Sequence, residues 1–317
     1  MITGPHLALA VARAGGIGFI GPGQTAVDLN TATSLISKSP IPNYKIPPLP
    51  LGVAFQMHAD SLLDAVSAIK DNPTVAAWLF APGKGQIETN EWIRTLRGAV
   101  RGIQIWLQIG TLREAVDAAK SEHPPDVLVV QGAEAGGHGR AHDGMGFITL
   151  VPEIDDALGG RIPLVAAGGI VDGRGVVAAL GVGAVGAAMG TRFLASSEAR
   201  VSDGYQGHVV RASDGAKNTV RTGLYNRLRG TTFPAEWEPR GLINRSWEEW
   251  EEGVSFDELK KRHDEALKEG RGHGEEGRTA TYAGAGIGLV KKIEGAAVIV
   301  EETRQEARMI TKGLTDV

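Results

Sequence analysis

Short, continuous apolar runs recur along this 317-residue chain, and each is followed by a segment in which apolar residues have helical spacing. Continuous rather than alternating runs are typical of strands that are buried on both faces. Strands that alternate with helices indicate βαβ units and a parallel sheet. We predict seven such strands, at residues 16–20, 51–56, 75–80, 103–108, 127–131, 163–167 and 184–189.

The number of predicted strands is one short of the eight that close a (β/α) barrel. A turn at residues 3–5 and a helical segment at 7–14 precede the first predicted strand, an order that is unusual for a barrel. We therefore expect an α/β fold, a TIM-type (β/α)8 barrel that lacks its first strand, in a chain that is truncated at its N-terminus. A doubly wound open sheet needs no eighth strand and is the alternative fold.

Composition divides the chain near residue 202, where charged residues become dense; three of the six tryptophans lie between residues 202 and 281. We predict a barrel segment at 1–201, a mainly helical insertion or cap at 202–281, and a glycine turn with the closing helix of the barrel domain at 282–317. The insertion near the C-terminus is expected to form a lid over the substrate or a solvated helical cap.

Charge and composition exclude several classes of function. The formal net charge of −4 and the lack of a basic stripe argue against a nucleic-acid partner. The chain has no cysteine, which excludes disulfides and thiolate nucleophiles. His138 and His142 are four positions apart, but the glycines and Asp143 around them argue against the helix that a zinc site would need. No apolar stretch reaches the length of a membrane span. We expect a cytoplasmic protein with no metal and no membrane or nucleic-acid partner, and the sequence leaves a homodimer open.

Glycine-rich corners follow several predicted strands, on the face where barrel active sites assemble. The first corner, QGAEAGGHGR, spans residues 131–140. Gly136 and Gly137 would let the backbone approach a flat ligand, and His138 beside them can accept a proton near neutral pH. A solvated loop histidine is the alternative interpretation, but the position at a strand end favours a catalytic role.

Two further corners, at residues 166–170 and 190–192, end the last two predicted strands. Barrels often bind a phosphate group at this position through backbone N–H groups. Ordinary turns between a strand and a helix also use glycine, but two such corners on neighbouring strands favour a phosphate site. Thr191 adds a hydroxyl group to the second corner.

These motifs together resemble one enzyme family. QGAEAGGHG, GMGFITLVPE and IPLVAAGGIVDGRGVVAALGVGAVGAAMGTRFLASSEA are similar to segments of the nitronate monooxygenases, also called 2-nitropropane dioxygenases, and residues 131–199 carry the specific part. The resemblance implies a flavoprotein with non-covalent FMN on a TIM barrel, which oxidises alkyl nitronates, such as propionate-3-nitronate, or nitroalkanes with molecular oxygen. The family's first strand, which carries a Pro-Met segment beside the flavin, has no counterpart here.

The resemblance also implies roles for individual residues. His138 corresponds to the catalytic base, which would take the α-proton of a nitroalkane or orient the nitronate as a cation. The turn at 282–288 would cover the flavin edge. The residues implied to surround FMN are Gln56, Gln108, Gln131, Gly136 and Gly137 along its ring and ribityl chain, and Ala167, Gly168, Gly169, Gly190 and Thr191 at its phosphate.

Two other functions are compatible with the same sequence. A flavin-dependent NAD(P)H reductase of enoyl thioesters or quinones would have similar glycine corners, with room for a nicotinamide. A truncated, non-catalytic barrel could instead serve as an interaction protein, with the charge-dense insertion as its partner surface. Reduction of the flavin by NADH or NADPH without nitronate would favour the reductase.

Overall fold

The computed structural model describes residues 2–41, 44, 47–274 and 276–315, and its central element is a seven-stranded parallel sheet. A second, antiparallel sheet has three strands, in the spatial order β6-β10-β9. The strands are β1 (Phe19–Ile20), β2 (Leu49–Gln56), β3 (Thr74–Phe80), β4 (Gln104–Ile109), β5 (Val127–Gln131), β6 (Gly137–Arg140), β7 (Leu164–Ala167), β8 (Gly186–Ala188), β9 (Thr219–Arg221) and β10 (Trp237–Leu242).

Helices connect the strands of the large sheet, and several begin with a side-chain cap. Thr111 and Glu114 form a capping box at the start of α5, and Asp172 accepts hydrogen bonds from two backbone N–H groups of α7. The helices are α1 (Pro5–Arg13), α2 (Thr25–Lys38), α3 (Leu62–Asp71), α4 (Gln86–Ala99), α5 (Leu112–Ala119), α6 (Phe147–Leu158), α7 (Gly173–Gly181), α8 (Thr191–Leu194), α9 (Asp203–Arg211), α10 (Gly215–Asn218), α11 (Leu224–Arg229), α12 (Arg245–Glu251), α13 (Phe256–Lys268), a short 3-10 helix (Ala285–Leu289) and α14 (Ala296–Thr315).

The order of strands in the large sheet decides between the two predicted folds. Its spatial order, β1-β2-β3-β4-β5-β7-β8, follows the order of the chain. A doubly wound sheet reverses its strand order at a switch point, and no reversal occurs here. Each of the seven predicted apolar runs overlaps one of these strands, and β1 and β8 do not pair within the described part of the chain. The prediction of a TIM-type barrel with seven strands is confirmed.

Side chains of the large sheet alternate between two packed layers. The outer layer is the main core, where Leu51, Val53 and Phe55 of β2 pack against the surrounding helices. The inner layer of the curled sheet includes Trp78 and Trp106, whose rings both lie near Phe19, with centroids 5.2 Å away in each case. These aromatic side chains lie inside the curled sheet and form an apolar part of the cavity wall described below.

Residues 202–281 combine helices with two strands that the sequence did not predict. Strand β10 pairs with β9 on one side and with β6 on the other, so this segment is joined by hydrogen bonds to the corner that carries His138. Pro239 of β10 lies opposite His138 in the register. None of the helices described here is both long enough and apolar enough to span a membrane.

Candidate active site

A cavity of about 2030 Å³ opens at the carboxyl ends of the barrel strands. It continues between the two ends of the large sheet, where residues of α1 and α14 line it. The structure brings every site residue predicted from the sequence into the wall of this one cavity: Gln56, Gln108, Gln131, Gly136, Gly137, His138, Ala167, Gly168, Gly169, Gly190 and Thr191. Their common position is consistent with a single binding site, and their individual roles stay predictions.

His138 lies on β6 in a largely buried position. Its ring stacks on Phe233, with ring centroids 3.5 Å apart and an interplanar angle of 11°. Burial lowers the pKa of His138 to about 4, a hydrogen bond with Asn226 opposes that shift, and the charge of Arg229 adds to it. The imidazole is therefore neutral at pH 7, which favours its use as a proton acceptor rather than as a cation.

Asn226 is a site residue that the sequence did not reveal. It is buried on α11, and its Oδ1 lies 2.9 Å from Nε2 of His138. Thr231 Oγ1 donates a second hydrogen bond to the same oxygen, at 3.3 Å. Because an amide oxygen only accepts, this contact places the imidazole proton on Nε2 and leaves Nδ1 with the lone pair. Asn226 thus positions the histidine as a base.

We expect Asn226→Asp to raise the pKa of His138, because a carboxylate beside an imidazole stabilises its charged form. The pH at which kcat/KM reaches half its plateau should rise by about 1 to 3 units, the usual effect of a close opposite charge. Steady-state kinetics between pH 4 and pH 9 measure this shift. A residue with a purely structural role would change the height of the profile and leave its midpoint in place, which would contradict the assignment.

Two glutamines at strand ends provide polar groups within the cavity wall. Gln108 Oε1 accepts a hydrogen bond from the indole N–H of Trp78 at 3.0 Å. Gln131 Nε2 donates to the backbone oxygen of His138 at 3.0 Å, while its Oε1 is buried without a partner in the described part of the chain. A buried acceptor without a donor is costly, so Gln131 Oε1 is suited to a donor group on a bound ligand.

The glycine corners at the last two strands of the large sheet present free backbone donors. Gly168 and Gly169 have φ of 99° and 73°, which only glycine adopts readily. The N–H groups of Gly168, Gly169 and Gly190 donate no hydrogen bond to any described residue. Thr191 Oγ1 accepts a hydrogen bond from the backbone N–H of Gly284 at 2.9 Å, so its hydroxyl group also holds the turn at 282–288.

Gly136 has a structural reason to lack a side chain. A Cβ atom at this position would lie 2.5 Å from the backbone of Ala283 and Gly284. The turn at 282–288 therefore rests directly on the corner that precedes His138. At Gly137, by contrast, φ is 69° and a Cβ atom would meet open space, which leaves room for a ligand.

The charges that line the cavity have one sign. Its wall includes the cationic residues Arg200, Arg229, Arg304, Arg308 and Lys312, while no Asp or Glu is found among the described residues that line it. Such a wall favours anionic ligands. Within the described ranges, no group of three or more His, Asp or Glu side chains is arranged to hold a metal ion.

Comparison with known proteins identifies the family. The family model for nitronate monooxygenase matches residues 85–306. The chain belongs to the nitronate monooxygenase family. Nitronate monooxygenase npaC of Metarhizium robertsii is 59% identical, over 98% of this chain and 89% of that protein. A nitronate monooxygenase of Neurospora crassa is 32% identical, over 97% of this chain and 87% of that protein.

A solved structure supports the barrel assignment. A nitroalkane oxidase from Streptomyces ansochromogenes superposes with a TM-score of 0.73 at 24% identity, over 99% of this chain and 94% of that one. At this identity the likeness shows the fold alone. Membership of the nitronate monooxygenase family makes the protein an oxidoreductase and favours nitronate oxidation over the reductase and non-catalytic alternatives.

Proposed function

We propose that this protein oxidises alkyl nitronates with molecular oxygen, with FMN as its cofactor. The observation that carries the proposal is a neutral, buried His138 in the wall of a cavity whose charged lining is cationic. A nitronate is an anion with its charge spread over two oxygens, and it is formed by loss of the α-proton from a nitroalkane. A neutral base and a cationic wall match these two properties.

The residues present fit FMN. The free N–H groups at Gly168, Gly169 and Gly190 would hold its phosphate group, and the buried Oε1 of Gln131 would accept a hydrogen bond from its polar ring edge or ribityl chain. Gln56 is the last residue of β2 and Gln108 lies near the end of β4, with β3 between these two strands, and Ala167 adjoins the phosphate corner. The flavin supplies redox chemistry, since an electron-rich nitronate can reduce it and oxygen can reoxidise it.

The chain's own residues provide position and electrostatics. His138 accepts the α-proton of a neutral nitroalkane, and Asn226 keeps its proton-free nitrogen available. Phe233 covers one face of the imidazole, and Tyr282 lies near it, with ring centroids 5.8 Å apart. These aromatic groups exclude water from the base and keep its pKa low. Nitronate and oxygen are the small-molecule partners of this site.

The absorption spectrum of the purified protein tests the cofactor. We expect a flavin band, and heating should release FMN rather than a dinucleotide. Gly190→Leu offers a sharper test, because a Cβ atom at Gly190 meets no protein atom within 4 Å and the larger side chain would enter the proposed phosphate site. This overlap should weaken FMN binding by about 10- to 100-fold, the effect of an overpacked site.

Gly98→Leu is the matched control for this substitution. Gly98 is an exposed residue of α4, and a Cβ atom there also meets no protein atom within 4 Å. The control should bind FMN as the wild type does. A protein that stays colourless after addition of FMN would contradict the cofactor proposal, as would equal FMN affinity in both variants.

A further inference from the structure

Arg229 is an exposed residue of the cavity wall, and its hydrogen-bond partner is a tyrosine rather than an acid. It is the last residue of α11, and its Nη1 donates a hydrogen bond to the hydroxyl oxygen of Tyr282 at 2.5 Å. Its guanidinium carbon lies 5.3 Å from the centre of the Tyr282 ring. Tyr282 is itself fixed, because the Tyr205 hydroxyl donates to its backbone oxygen at 2.8 Å. The guanidinium thus has a defined position with its charge uncancelled.

Two other arginines of the cavity wall, Arg200 and Arg304, differ from Arg229 in this respect. Arg200 pairs with Asp28 at 2.7 Å, and Arg304 pairs with Glu301 at 2.9 Å. Arg229 forms no ion pair with an Asp or Glu in the part of the chain that the structure describes. Its positive charge acts on the site instead, since it contributes to the low pKa of His138. The two side chains flank the same ring, that of Tyr282.

His138 and Arg229 are suited to two different roles in this site, proton transfer and the binding of an anion. A neutral His138 can take a proton, but it cannot compensate the charge of an anion. Arg229 carries a guanidinium group, which can donate charge-assisted hydrogen bonds to a pair of oxygens. We infer that Arg229 is the specificity-determining residue of this site and selects the anionic nitronate over the neutral nitroalkane of the same carbon skeleton. This inference rests on the proposed function.

The test compares Arg229→Met with the wild-type holoenzyme. Butanoate and butanamide are matched in shape and differ in charge, and their equilibrium binding is measured by ligand-observed NMR without any need for turnover. We expect Arg229→Met to weaken butanoate binding by about 10- to 100-fold, as expected for the loss of a hydrogen bond between charged groups. Butanamide binding should change by less than about threefold, and Arg229→Lys should restore part of the butanoate affinity.

Arg227→Met is the matched control on the same helix. The Arg227 guanidinium lies over Phe256 and Trp250, at 4.2 and 5.4 Å from their ring centres, on the cap side of α11. This control removes one positive charge from α11 without changing the cavity wall, so both ligands should bind as in the wild type. Steady-state kcat/KM for a nitronate should fall together with butanoate affinity in the Arg229 variant alone.

The results of these binding and activity measurements distinguish failure of this inference from failure of the proposed function. Equal loss of butanoate and butanamide affinity in Arg229→Met would overturn it, because the arginine would then act by shaping the pocket. Unchanged butanoate affinity would overturn it as well. A wild-type holoenzyme that binds butanoate through Arg229 but does not oxidise nitronates would reject the proposed function and leave the anion selectivity standing.

Discussion

His138→Asn is expected to lower the turnover of a neutral nitroalkane by about 100-fold or more, the usual effect of removing a general base. Turnover of the corresponding nitronate should fall much less, because its α-proton has already been lost. Flavin content should stay unchanged, since the backbone of residue 138 keeps its pairing with Pro239 and its hydrogen bond from Gln131. Oxygen consumption with both substrates measures the two effects side by side.

His142→Asn is the control for this substitution, because His142 is exposed and lies four residues further along the chain, just beyond the same corner. It should leave both activities unchanged. An equal loss on nitroalkane and nitronate in His138→Asn would contradict the role of His138 as a base and would point to a role in binding.

The pH dependence of the wild type follows from the pKa of His138. Burial lowers this pKa from 6.5 to about 4, so the neutral form that accepts a proton is present above about pH 4. We expect kcat/KM for a neutral nitroalkane to rise with pH around pH 4 and not around pH 6.5. The profile in His138→Asn should lack this rise. Protein stability is checked at each pH by circular dichroism.

The large sheet could be predicted from sequence because its strands are buried on both faces. Val127–Gln131 is an uninterrupted apolar run up to its last residue, and the structure has a strand with those bounds. Strand β6 could not be found in this way, because its residues, GHGR, are neither apolar nor alternating. Its pairing with β10 joins residues about a hundred positions apart, and no local pattern reports such a contact.

The residues of the candidate site also fall into two groups, those that local sequence patterns predict and those that depend on distant contacts. The predicted glycines and glutamines follow strands of the large sheet, so the topology that places the strands also brings these residues together. Asn226 and Arg229 lie on α11, within the segment that was expected to be a cap. Asn226 reaches His138 across 88 positions of sequence. Short motifs identify the residues of the proposed cofactor site, whereas the residues that affect the pKa of His138 depend on how the cap folds over the barrel.

Glu249→Gln should destabilise that cap by about 3 kcal/mol, as expected when one partner of a buried ion network is removed. The carboxylate of Glu249 lies in the protein interior and receives two hydrogen bonds from Arg278, at 2.7 and 2.8 Å. Arg262 and Arg245 also pair with it, at 2.9 and 3.2 Å. A neutral amide would leave three guanidinium groups close together without an anion between them.

The same network predicts how the stability of the cap depends on pH. The hydrogen bonds from Arg278 lower the pKa of Glu249 from 4.5 to about 2. The ionised carboxylate therefore contributes its full stability above pH 4.5, and that contribution is lost as pH falls towards 2. In Glu249→Gln this part of the acid sensitivity should be absent. Urea denaturation at pH 7 and at pH 3, in both proteins, measures the difference.

Glu248→Gln is the control, since Glu248 is exposed on the same helix and its one ion-pair partner among the described residues is Arg245, at 3.3 Å. Its substitution should change stability by less than about 0.5 kcal/mol.

The stability of the cap affects the site because Leu224 and Leu228 of α11 pack against Leu259 of α13. If Glu249→Gln loosens this packing, α11 moves, and the pKa of His138 should change with it. An unaltered pH profile in a destabilised Glu249→Gln protein would show that α11 is held by the barrel rather than by the cap.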